Sequence, residues 1–181
     1  FGAHPDDVEL GCVGTIIKEV QNGKKIGIID LTRGELGTRG SISIRDEEAN
    51  KATDIMGVII RENMNFNDGF FKDDENHKLS IVKKIRYYRP DIVITNAMSD
   101  RHPDHSRSSQ ITVDSCFLSG LEKIDTQQKI WRPKAIYHYI QFNHIQPHFV
   151  VDITQQMNLK LQAVKSYKSQ FYNPESKESP T

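Results

Sequence analysis

Two short stretches carry most of the reactive side chains: His4-Pro5-Asp6-Asp7 and His102-Pro103-Asp104-His105. With 7 His and 7 Pro in 181 residues, roughly 0.02 His-Pro-Asp tripeptides arise by chance, yet two occur. Each stands in a loop just before a helical pattern. Helix capping accounts for part of this. Asp6 with Glu9 three residues on makes a capping box, and Asp104 can cap the later helix. Capping leaves three histidines unexplained, whereas imidazole and carboxylate together suit a catalytic divalent ion.

Such an ion takes three protein ligands and keeps one position for water. The first loop offers His4 and Asp7, the second His105 at the start of its helix. Adjacent carboxylates project in different directions, so with Asp7 on the ion Asp6 is left as general base for the bound water. Metal binding lowers that water's pKa from near 16 to about 7. His102 then serves as the cationic or donor group that stabilises an oxyanion and protonates a leaving amine. Asp104 orients a neighbouring histidine from behind. Spacing alone lets His102 and His105 exchange roles. Zn2+ fits this set, and two histidines with one carboxylate also match the facial triad of Fe2+. The chemistry is metal-assisted hydrolysis of an amide or ester. His77, His138, His144 and His148 lack such spacing and read as surface or core residues; His144, in the loop Gln141 to Pro147, is the one placed to line a pocket.

Loops of this kind need rigid elements around them. Leu10, Val13, Ile16, Ile17 and Val20 recur at helical spacing, with Asn22-Gly23 as a stop. A buried strand covers Lys25 to Leu31, and the Gly-rich stretch Thr32 to Ser43 is a loop. The pattern continues with a helix over Arg45–Met56, a strand near Val58–Arg61, a helix over Lys78–Tyr88, a strand over Asp91–Thr95 and a helix from His105 to Leu118. Strands at Ala135–Ile140 and Phe149–Ile153 precede a last helix, Thr154–Phe171, with Met157, Leu161, Val164 and Phe171 inward. Such alternation predicts an α/β, Rossmann-like fold: a mainly parallel sheet with helices on both faces. Ligands then sit beyond the carboxyl ends of the strands. Gly11 and Gly14 fall inside the first helical pattern, and no G-x-G-x-x-G opens it, which removes the signature of a dinucleotide site.

Lys+Arg 24 balances Asp+Glu 24, so there is no basic excess for nucleic acid or an anionic membrane surface. No apolar run reaches the length of a membrane span. Two cysteines, Cys12 and Cys116, fit a reducing, cytoplasmic setting. The length fits a single domain over 1–181. Because the reactive cluster begins three residues after Phe1, the reading expects a preceding strand; the stretch Asn173–Thr181 reads as a loop or frayed end.

Gly2-Ala3-His4-Pro5-Asp6-Asp7 with the later His102-Pro103-Asp104-His105 resembles the LmbE/PIG-L-like family of zinc-dependent N-deacetylases of N-acetylglucosaminyl compounds. The resemblance extends through Asp30-Leu31-Thr32-Arg33-Gly34-Glu35-Leu36-Gly37, Asp100-Arg101 and Ser166-Tyr167-Lys168-Ser169-Gln170-Phe171. Within the family the chain looks most like the bacillithiol-pathway branch, which deacetylates N-acetylglucosaminyl malate. The resemblance implies His4, Asp7 and His105 as ligands of Zn2+, Asp6 as base, and His102 as acid, supported by Asp104. It places Arg45 at the substrate pocket, where a guanidinium suits a carboxylate, against the alternative of a solvated arginine paired with Glu47 or Glu48. Arg101 and Asp100 are substrate-binding candidates on the same ground, and Asp68 either reaches the site or belongs to a plain turn. The resemblance also implies an N-terminal strand and a C-terminal segment beyond this sequence, and homo-oligomers, trimers or hexamers. A metal-dependent phosphoesterase and a non-catalytic sugar-binding domain are the competing readings.

Overall fold

Apolar runs without helical spacing become the parallel strands β1 (Gly27–Thr32), β3 (Ile92–Thr95) and β4 (Ala135–His138), whereas β2 (Ile60–Phe66) is a mostly polar stretch that begins later than the strand expected near Val58–Arg61. A computed structural model describes residues 1–171. In it β1 pairs with β2 and β3 with β4. Residues 1–3 lie between the two ladders. The Gly2 amide donates to the Ile29 carbonyl at 3.0 Å, the Leu31 amide to Gly2 at 2.8 Å, and the Phe1 nitrogen to Ile94 at 2.7 Å. The order across the sheet is therefore β2, β1, residues 1–3, β3, β4. The chain winds outward in one direction from residues 1–3 and in the other from β3, so the switch point lies between them.

Seven helices cover the sheet among the described residues: α1 (Asp7–Gly11), α2 (Val13–Gln21), α3 (Ile42–Met56), α4 (Glu75–Tyr88), α5 (Pro103–Leu118), α6 (Met157–Ser166) and α7 (Lys168–Phe171). Ile28 and Leu31 of β1 point to opposite faces, as strand alternation requires. Ile28 joins Val13, Ile17, Ala52, Met56 and Tyr167, a core roofed by α2, α3 and α6. Leu31 joins Ile81, Ile85, Val93 and Ile111 beneath α4 and α5. Local chemistry sets the helix starts: Ser41 accepts from the Ile44 amide, Asp74 from the His77 amide, and Pro103 occupies the first position of α5. No helix among the described residues is long and apolar enough to cross a membrane.

The expected parallel α/β sheet with helices on both faces is present, and the differences from expectation are local. The pattern Leu10–Val20 is two helices, broken at Cys12, where φ is −139°. Gly11 sits at the break because a Cβ there would lie 2.2 Å from the Tyr139 ring. Phe149–Ile153 is not a strand; no strand among the described residues pairs with it, and Phe149 and Val150 stand in solvent. The last helical pattern is a 3-10 turn (Thr154–Gln156), α6 and α7, interrupted at Tyr167. Ala163, Tyr167 and Gln170 are buried while Met157, Leu161 and Phe171 are exposed, the reverse of the expected stripe for those three. Asn173–Thr181, expected as a loop, lies outside the described residues.

Candidate metal centre

The two His-Pro-Asp loops meet because each follows one of the two neighbouring segments at the switch point: the first follows residues 1–3, the second follows β3. Asn96, fully buried at the end of β3, fastens them together. Its Oδ1 accepts from the Ala3 amide at 3.1 Å and its Nδ2 donates to Asp7 Oδ2 at 3.1 Å. Neither expected cap forms. Asp6 stands at the N-cap position of α1 but adopts φ 117° and makes no capping bond. A left-handed conformation at a non-glycine residue costs of order 1–3 kcal/mol and survives only when its surroundings hold it. Glu9, the other half of the expected box, turns to Arg61 and Tyr167 instead. The cap of α5 is His102, whose Nδ1 accepts the Asp104 amide at 3.2 Å, and the Asp104 carboxylate is directed elsewhere.

His4, His102 and His105 bring ring nitrogens within 4.8 Å of one another. His4 lies edge-on to His102 with centroids 4.7 Å apart, and its ring centroid is 5.6 Å from that of His105. Asp7 reaches both outer rings, Oδ1 lying 3.1 Å from His105 Nε2 and Oδ2 3.6 Å from His4 Nδ1. On its other edge His4 Nε2 lies 2.9 Å from Asp68 Oδ1 and 3.4 Å from Asp104 Oδ2, a second convergent donor group. Gln141 donates to Asp7 Oδ1 at 2.7 Å.

Burial and charge pull the titrations of these groups apart. Burial works against a charged His4, but Asp104, Asp68 and Asp7 outweigh it and hold its pKa well above the imidazole range. Burial likewise raises Asp7, yet hydrogen bonds from His105 and His4 bring it well below the usual carboxylate range. Asp68 falls to about 2, its burial overcome by His4. His105 is raised, Asp7 prevailing over desolvation. His102 is lowered by burial and by the two neighbouring imidazoles. Asp6 goes the other way, pushed up to about 7 by burial in spite of Arg45 beside it.

The donor set fits a divalent cation. Asp7 is 2% exposed and, among the described residues, no lysine or arginine contacts it; it faces the His4 and His105 rings, the side-chain amides of Asn96 and Gln141 and the His4 backbone amide. A carboxylate this deeply buried needs a compensating charge, which the two imidazoles supply when protonated and a cation would supply when they act as neutral ligands. His105 Nδ1 is buried with no hydrogen-bond partner, 3.4 Å from Asp100 Oδ2.

Asp100 stands behind His105, its side chain buried, and accepts from the His102 and Phe142 amides. Arg101 is exposed, its guanidinium 4.4 Å over the Phe142 ring. Arg45 pairs with neither Glu47 nor Glu48. It is buried, donating to the Pro5 carbonyl at 3.1 and 2.9 Å, to Asp6 Oδ2 at 2.8 Å and to the Gly34 carbonyl at 3.4 Å. Gly34 (φ 64°) leaves that guanidinium its room, since a Cβ would lie 2.2 Å from Nη1. Glu48 instead accepts from Ser169. Asp68 reaches His4 and is more than a turn residue. His138 is a structural residue bonded to the Asn96 carbonyl, His77 pairs with Asp74, and His144 and His148 are exposed. Sequence reasoning missed Asn96, Gln141 and Arg107, which pairs with Asp104. Only Asn96 carried a signal, a polar residue ending an apolar strand.

A family profile described as PIG-L, GlcNAc-PI de-N-acetylase, matches residues 1–116. The chain is similar to a diacetylchitobiose deacetylase of Thermococcus kodakarensis, 29% identical over 93% of this chain and 67% of the relative. It is also similar to a probable N-acetyl-alpha-D-glucosaminyl L-malate deacetylase 2 of Bacillus anthracis, 26% identical over 93% of this chain and 78% of the relative. Among solved structures, the conserved protein TT1542 from Thermus thermophilus superposes with a TM-score of 0.91 at 36% identity, over 94% of this chain and 77% of that one. The chain thus spans about two thirds of the Thermococcus relative's length.

Proposed function

The chain belongs to the PIG-L, GlcNAc-PI de-N-acetylase, family, and on that premise we propose that it is a metal-dependent amide hydrolase that removes the N-acetyl group from an N-acetylglucosaminyl conjugate. One observation carries the reading: Asp7 stands between His4 and His105, about a hundred residues apart in sequence, with Oδ2 3.6 Å from His4 Nδ1 and Oδ1 3.1 Å from His105 Nε2. These three would hold the cation. When bound, it supplies an acidified water and a Lewis acid for the amide carbonyl.

The rest is the work of the chain's own groups. Asp6 takes up a proton. Its carboxylate, poised at about 7, is half ionised near neutral pH, the condition for a general base. Arg45 fixes that carboxylate from one side and the Pro5 carbonyl from the other, so the base stays aimed while its loop remains strained. His102 gives a proton or hydrogen bond. Its Nδ1 is occupied by the Asp104 amide, which leaves Nε2 as the donor toward an oxyanion or a leaving amine. Asp100 and Asn96 keep His105 and Asp7 in place from behind. Zn2+ is the ion we favour for two imidazoles and one carboxylate, with Fe2+ the alternative.

The names of the relatives share the N-acetyl-amino-sugar group and differ in what it is attached to. A malate conjugate, in the bacillithiol sense, draws its support from the Bacillus anthracis relative. The test is an acetate-release assay on N,N'-diacetylchitobiose and N-acetylglucosaminyl malate, with and without a chelator. Chelator-sensitive acetate release is expected. Release of phosphate from phosphoester analogues with no acetate from either sugar would favour a phosphoesterase and end the deacetylase reading.

A further inference from the structure

Four large apolar side chains stand in solvent at the end of the sheet that holds the metal centre. Each belongs to the loop after a different strand: Leu36 after β1, Phe70 after β2, Met98 after β3 and Phe142 after β4. Their exposures are 60, 73, 71 and 57%. Exposed apolar groups scattered singly mean little; here one stands on each of the four loops that follow the strands, beside the reactive cluster. The backbone ties them to the cluster. The Leu36 amide donates to Asp68 Oδ2 at 2.9 Å, and the Gly69 amide, next to Phe70, donates to Asp104 Oδ2 at 2.7 Å. On the other side the Phe142 amide donates to Asp100 Oδ2 at 3.3 Å, and its neighbour Gln141 holds Asp7.

Charge selects what this surface can take. Arg33 is paired with Asp46, Arg45 with Asp6 and Arg107 with Asp104. Arg101 has no carboxylate partner among the described residues, and its guanidinium carbon stands 4.4 Å from the Phe142 ring centroid, over one face of the ring. A small dianion needs its charges met by bidentate cations, and of these four arginines Arg101 alone keeps its fork for a ligand. A pyranose ring needs something else: an aromatic face for its C–H groups and donors for its hydroxyls.

We infer that the loops after β3 and β4 form the aglycone subsite and that it takes an uncharged sugar ring, stacked on the open side of Phe142 beside Met98, with Arg101 donating to ring hydroxyls. Leu36 and Phe70 form the opposite wall. The inference rests on the deacetylase reading above and narrows its substrate to a glycan.

The test measures kcat/KM of the full, metal-loaded chain on N-acetylglucosamine, N,N'-diacetylchitobiose and N-acetylglucosaminyl malate. Diacetylchitobiose is expected to exceed the malate conjugate. Phe142→Ala should lower the ratio of diacetylchitobiose to N-acetylglucosamine by about tenfold, and Phe142→Trp should restore it. A wild-type preference for the malate conjugate overturns the inference. So does a Phe142→Ala variant that leaves that ratio unmoved, including one whose only effect, by light scattering, is to dissociate an assembly of this chain. No acetate from any of the three sugars would bring down the deacetylase reading and this one with it, whereas acetate release with an unmoved ratio overturns the subsite alone.

Discussion

Asp6 and Asp7 are neighbours in sequence with opposite titrations. Asp7 touches two imidazoles and stays ionised, whereas Asp6 has burial without an imidazole partner and is held near neutrality. The left-handed backbone at Asp6 is what separates them, aiming its carboxylate at Arg45 and away from His4. Asp6→Asn keeps the shape and removes the base. Acetate release should fall about 10²–10⁴-fold while bound metal, measured by elemental analysis, stays at the wild-type stoichiometry. Metal lost in proportion to activity would instead make Asp6 a ligand. His105→Ala carries the converse expectation, with metal lost first.

At the level of elements, the first loop is held from below by a buried ionic network. Arg61 of β2 meets Asp30 of β1 through two bonds of 2.7 and 3.1 Å and Glu9 of α1 at 2.5 Å, and it also reaches the Ala49 carbonyl of α3. Tyr167 donates to the same Glu9 oxygen at 2.9 Å. One side chain thus fixes the helix that carries Asp7 relative to the helix that carries Arg45. Arg61→Met strands two buried carboxylates, a loss of about 3–5 kcal/mol readable as a lower urea midpoint at unchanged slope. A midpoint within error of wild type would show the network to be dispensable. Gly11→Ala drives a methyl into Tyr139 and should cost about 1–3 kcal/mol on the same scale.

These elements also show what the sequence could and could not reveal. The alternation of β-branched runs with 3.6-residue patterns sufficed for β1, β3, α3, α4 and α5, because each buries a regular stripe or a continuous run. It failed at Phe149–Ile153, where an apolar run finds no strand to pair with among the described residues, and at Tyr167, where the helix is interrupted and the hydroxyl donates to Glu9, 158 positions away. The metal-centre residues were legible because two improbable tripeptides name them. Gln141 was not, since an amide that orients a carboxylate follows no spacing rule, and Asn96 was marked only by its place as a polar residue ending an apolar strand. The fate of Arg45 depended on Gly34, whose missing Cβ opens a path to the first loop.

Across the whole molecule, the parallel sheet does one thing for chemistry: its switch point makes neighbours of two loops far apart in sequence. A cation binding there joins both halves of the sheet. It should therefore stabilise the chain by mass action, about 2.7 kcal/mol at a hundredfold excess over Kd, and a chelator should lower Tm by the corresponding amount in a calorimetric scan. An unchanged Tm would mean that no ion binds the folded chain in preference to the unfolded one.

Where that ion sits decides the chemistry. Anomalous diffraction at the zinc edge from a crystal soaked in Zn2+ locates it directly. The expected result is one strong peak at coordination distance, about 2.0–2.2 Å, from His4, Asp7 and His105. A peak held by Asp68 and Asp104 without His105, or no peak between the two His-Pro-Asp loops, would contradict it.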